Sequence, residues 1–190
     1  SCSDANLAKI TELSSPWGEG GGSGGGDGTL PELKDAGLRI LFIGNSFTQD
    51  AVEHLPGICV AAGATGITMA HCYYGGRTIP EYYSDREVAN NTFYYANPGD
   101  KTFSTWGSKA SIKDVAASGR WDVITIQEHT GNYRAWSWTA DEKNAIQNLI
   151  DFVCATQTVK PKVYYIMSQA YYDMSKIGSG SQPSVTWTTQ

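Results

Sequence analysis

Four short apolar runs, each a strand in length and each closed by glycine or by polar residues, constrain this chain more than any other feature. Leu38 to Ile43 reads LRILFI and stops at Gly44, and Ile67 to Tyr74 stops at Gly75-Gly76. Asp122 to Gln127 reads DVITIQ behind Trp121, and Lys162 to Ser168 is the fourth. Runs this continuous belong to strands buried on both faces, the habit of parallel sheets. Helical spacing fills the gaps. Val52, Leu55, Cys59 and Ala62 recur on one side of Asp50 to Ala62, although Pro56 weakens or kinks that helix. Ile79 to Val88 and Ser111 to Ala117 read as short helices, with a polar, aromatic loop between them. Thr139 and Glu142 make a capping box for the best helix, whose stripe is Ile146, Leu149, Ile150 and Val153. The predicted fold is therefore α/β: a doubly wound, flavodoxin-like parallel sheet with helices on both faces. After Tyr172 the pattern stops, and Ser175 to Gln190 is rich in Ser, Thr and Gly. The last strand then has no helix to cover it, so the expectation is a domain lacking its C-terminal part.

Gly18 to Gly28 reads GEGGGSGGGDG, which buries nothing and is costly to order. It has no strand before it and no helix after it, so it is not a phosphate loop. Residues 1–34 are expected to form a tether and residues 35–190 the domain, with folding beginning between Leu30 and Gly37. Residues 1–34 show no signal-peptide pattern, as expected of a mature form or of a chain that never had one, and Ser1-Cys2-Ser3 resembles the start of a mature bacterial lipoprotein, with lipid on Cys2. The alternative is a plain thiol on a disordered end. The lipoprotein pattern implies work outside the cytoplasm, with any membrane attachment made through that lipid. The formal charge is −5, which disfavours nucleic acid and anionic membrane surfaces as partners. Cysteines 2, 59, 72 and 154 form no CxxC pair, so zinc spacing is absent. A Cys59–Cys72 disulfide stays open, because spacing does not fix distance.

In open parallel sheets, ligands meet the carboxyl ends of the strands. Here those ends carry Asn45-Ser46-Phe47-Thr48, then Gly75-Gly76-Arg77, then Gln127-Glu128-His129. A hydroxyl, a glycine pair with bare N–H groups, and an amide, carboxylate and imidazole are parts for acyl transfer. Each has a plainer alternative: Ser46 a helix N-cap, the glycines a tight turn, Gln127 a partner for buried backbone. Arg77 fits either an anionic substrate group or open solvent.

ILFIGNSFT resembles the first block of the SGNH/GDSL hydrolase superfamily, with Asn45 where many members have Asp. YYGGRTIPEYY and WDVITIQEHTGN resemble the second and third blocks of a bacterial, often lipoprotein, branch with no assigned substrate. The similarity runs from about Leu38 to Tyr172. It implies that Ser46 is the nucleophile of an ester hydrolase. The amides of Ser46 and Gly76 (or Gly75) would hold the oxyanion, and Gln127 stands where the superfamily places its oxyanion Asn. The implied substrate is a small ester, an O-acylated carbohydrate in particular; aromatics around Trp106, Trp136 and Trp138 suit sugar or core equally. Neither a metal nor an organic cofactor is implied.

The superfamily takes its base from an Asp-x-x-His pair near the C-terminus, and that spacing does not occur here. His54 lies in the first helix and His71 inside the second strand, both structural or exposed in expectation. His129, with Glu128 beside it, is the remaining candidate. The missing pair is expected beyond Gln190 or lost altogether. The rival is a carbohydrate-binding surface protein that keeps the fold without the triad. A flavodoxin-like nucleotide-binding module fits poorly, since no phosphate cradle follows the first strand.

Overall fold

The computed structural model describes residues 29–35, 37–129 and 140–166. Its six strands are β1 (Leu38–Gly44), β2 (Ile67–Tyr73), β3 (Asn91–Ala96), β4 (Ser104–Ala110), β5 (Val123–Gln127) and β6 (Lys162–Ile166). They form one sheet in the order β4-β3-β2-β1-β5-β6. The four apolar runs are β2, β1, β5 and β6, each parallel to its neighbour. The chain is thus an α/β, doubly wound domain. From β1 it steps outward to β2 on one side and later to β5 on the other. That reversal beside β1 opens the crevice in which such folds bind ligands.

β3 and β4 occupy the stretch read as loop. They are antiparallel, with β3 pairing β2 and β4 pairing β3, and the β3–β4 register shifts between Thr92 and Tyr94. Gly107, Ser108 and Lys109 give β4 no apolar pattern, because its backbone pairs with β3 while most of its side chains stay partly or fully exposed.

The five helices among the described residues are α1 (Ser46–Val52), α2 (Leu55–Ala61), α3 (Ile79–Ser84), α4 (Ile112–Ala117) and α5 (Ala140–Ala155). The single helix expected over Asp50 to Ala62 is two. Pro56 sits in the first turn of α2, where its missing N–H costs nothing, and the chain breaks at Glu53-His54. The expected stripe on α5 packs inward, Leu149 and Val153 fully and Ile146 and Ile150 in part. Thr139 lies outside the described residues; Thr78 and Glu81 form a capping box at α3.

Alternation along the strands sends side chains to two faces. Leu41, Ile43, Cys72, Phe93, Ile124 and Ile126 meet α3, α4 and α5. Ile40, Phe42 and Met69 meet Val52, Leu55 and Cys59 of α1 and α2. Cys59 and Cys72 therefore lie on opposite sides of the sheet, and both are free thiols. The N-terminal boundary also moves. Leu30 and Leu33 pack against the first cluster, and the Thr68 hydroxyl donates to the Lys34 carbonyl at 2.7 Å, so residues 29–34 belong with the domain. Cys2 and the Gly-rich segment lie outside the described residues. No described helix is long and apolar enough to cross a membrane.

Candidate functional site

Asn45 is where the three strand tips meet. Its backbone N–H donates to Gln127 Oε1 at 3.3 Å, and its Nδ2 donates to the Arg77 carbonyl at 3.1 Å. One residue after β1 is thus tied to the end of β5 and to the loop after β2. Asn45 is also the N-cap of α1, accepting from the Phe47 N–H at 3.1 Å. The capping alternative for Ser46 falls away: Ser46 is the first helical residue, is exposed, and has its cap supplied by its neighbour. A Ser-containing strand end followed by a helical pattern signals a cap, and the Asn before the Ser was the residue to read.

The backbone around Ser46 offers unused donors. Among the described residues, the N–H groups of Ser46 and Gly76 donate to no protein acceptor. Gly76 has φ +70°, a left-handed conformation that favours glycine, and a Cβ placed there would meet nothing within 4 Å. An unspent backbone N–H on an uncrowded turn is the type of donor a developing oxyanion uses.

Gln127 has a different part from the one expected. It is fully buried; its Oε1 accepts from the Asn45 N–H and from the Thr48 hydroxyl at 3.1 Å, and its Nε2 donates to the Glu128 carbonyl. An amide engaged at both ends and closed to solvent positions the Ser46 turn instead of reaching a substrate. Glu128 is likewise buried, and its carboxylate accepts from the Ile79 N–H at 3.1 Å and the His129 N–H at 2.6 Å, anchoring α3 to the β5 tip. Arg77 is neither solvated nor open to a ligand: it is buried over the Tyr74 ring, 3.7 Å from its centroid, and paired with Asp85 at 2.9 Å.

The three histidines have separate surroundings. His71 is buried among Phe42, Tyr73 and Tyr94, its Nε2 donating to the Gly44 carbonyl at 3.2 Å, and desolvation pushes its pKa down to about 4. His54 occupies the N-cap position of α2 without a side-chain cap bond, its Nε2 3.2 Å from Glu53 Oε1. His129 is half-buried just past β5. Among the described residues no hydrogen bond joins Ser46 to any of the three. Nor does any group of three His, Cys, Asp or Glu side chains there come together as a metal site. Trp106 packs against the core, edge-on to Phe93 at 6.3 Å, while Trp136 and Trp138 lie outside the described residues.

The family described as "Domain of unknown function (DUF4886)" matches residues 39–178, most of the chain. The protein belongs to the DUF4886 family. This DUF4886 chain is similar in fold to the crystal structure of a DUF4886 family protein from Bacteroides uniformis, with a TM-score of 0.53 at 23% identity. The match covers 67% of this chain and 48% of the other, so the DUF4886 chain here spans about half the length of that relative. Comparison with curated proteins gives no match.

Proposed function

We propose that this DUF4886 protein is a serine ester hydrolase of the SGNH/GDSL type, acting on small esters such as O-acylated carbohydrate. Ser46 Oγ attacks the ester carbonyl while a base accepts its proton, and the oxyanion rests on the free amides of Ser46 and Gly76. The alcohol leaves with that proton. Water then attacks the acyl-enzyme, releasing the acid and restoring the hydroxyl. The observation that carries this proposal is an exposed serine at the switch point that has no capping duty, with its own N–H unused and Asn45 tying its turn to the loop of Gly76 and Arg77. By the SGNH resemblance the base is an Asp-x-x-His pair, which this sequence does not hold; His129 is the base candidate within it. A lipid on Cys2 and a place outside the cytoplasm belong to the same proposal.

The second reading is a carbohydrate-binding protein that keeps the fold without turnover, and the buried Gln127 amide, spent on Asn45, Thr48 and Glu128, favours it. Fluorophosphonate labelling and nitrophenyl acetate turnover by the full-length protein separate the two. The esterase takes up the label and turns over the ester, and Ser46→Ala abolishes both. A full-length protein that neither labels nor turns over is the binding protein.

A further inference from the structure

A cleft opens at the same end of the sheet. Tyr73 of β2, Thr92 of β3 and Lys109 of β4 are register partners, forming a row across three strands at the carboxyl end of β2. With Tyr74, Gly75 and Asn90 they line a cleft of about 430 Å³, inside the range of roughly 300–1,000 Å³ usual for small-ligand sites. The cleft adjoins the proposed oxyanion donor directly, since Gly75 precedes Gly76. Tyr73 reaches over this turn: a Cβ on Gly75 would meet its Oη at 3.1 Å.

The charges in this wall are unequal. Arg77, behind Tyr74, is neutralised by Asp85, and Asn90 braces both by accepting from Arg77 at 3.1 Å and donating to Asp85 at 3.1 Å. That network fixes the Tyr74 ring, which stays 41% exposed. Lys109 donates to the neutral Thr92 hydroxyl at 2.7 Å and has no carboxylate partner among the described residues. Tyr74, held by that network, and Tyr73 beside it line the cleft with aromatic surface suited to the C–H faces of a sugar ring, Thr92 offers a hydroxyl, and Lys109 offers an uncompensated positive charge.

We propose that this cleft binds the alcohol half of the ester as a pyranose bearing a carboxylate, held by Lys109 and stacked on the tyrosines. The proposal rests on the esterase reading for the word alcohol, but the binding is measurable without catalysis. Full-length Ser46→Ala protein is titrated by NMR with methyl glucuronoside and with methyl glucoside. The expected result is at least tenfold tighter binding of the glucuronoside at low salt, shrinking as salt is raised and lost in Ser46→Ala/Lys109→Glu. In active protein, the ratio of kcat/KM for acetylated glucuronoside over acetylated glucoside falls about tenfold in Lys109→Met. Equal binding of the two sugars, or a preference untouched by Lys109→Glu in a protein that melts normally, overturns the cleft assignment. Nitrophenyl acetate turnover reports separately on Ser46: if it is absent while Lys109-dependent glucuronoside binding persists, the esterase reading fails and the acidic-sugar site stands.

Discussion

Asn45 and Ser46 are adjacent and do opposite things. Ser46 is exposed and makes no bond that holds the fold, so Ser46→Ala should shift urea unfolding by no more than about 0.5 kcal/mol while removing the hydroxyl. Asn45 is buried with its side chain used at both ends, so Asn45→Ala should cost about 1–3 kcal/mol through the lost cap and the orphaned Arg77 carbonyl. The same urea series, read for both variants, checks the contrast. His71 makes stability depend on pH. Its folded pKa of about 4 lies below the ordinary 6.5, so the unfolded chain takes up a proton between those values and the folded one does not. The contribution is complete above pH 6.5 and is lost as pH falls towards 4, by on the order of 3 kcal/mol. Urea unfolding at pH 7 and pH 5 should differ by about 2 kcal/mol of that loss, and His71→Phe should flatten it.

At the scale of elements, the β1–α1 junction depends on one close approach. A Cβ on Gly44 would meet Thr48 Oγ1 at 2.0 Å and Gln127 Oε1 at 3.2 Å. Gly44→Ala should therefore destabilise by about 1–3 kcal/mol, and adding Thr48→Ala should recover part of it, as thermal melts of the single and double variants would show. This packing brings α1 down onto the sheet at Ser46, four residues before the helical spacing becomes visible at Asp50. The four parallel strands were legible because burial on both faces leaves an unbroken apolar run. β3 and β4 were not, because β4 is held by backbone pairing and its residues carry no period. Pro56 showed that the first helix was disturbed, but only the folded chain shows a complete break.

For the whole molecule, stability should fall outward from β1. It is flanked by parallel neighbours on both edges and covered on both faces, whereas β4 lies at the sheet's margin among the described residues. Amide hydrogen exchange should be slowest across Leu41 to Ile43 and at least tenfold faster in the Ser104 to Lys109 strand. Comparable rates in the two would mean that the antiparallel pair is as tightly held as the centre.

Apolar periodicity alone determined the α/β class and the parallel strands, because burial imprints its period on the residues that undergo it. Which polar groups remain available at the strand ends was decided only in three dimensions. Gln127, Glu128 and Arg77 look like catalytic parts in a string of letters, yet hydrogen bonding turns all three into the fold. Ser46 stays outward-facing because its neighbour Asn45 caps the helix and ties the strand tip to Arg77, and Lys109 bonds only to the neutral Thr92 hydroxyl across the strand pair. A polar residue's role depends on which partners reach it first, and those partners come from other strands.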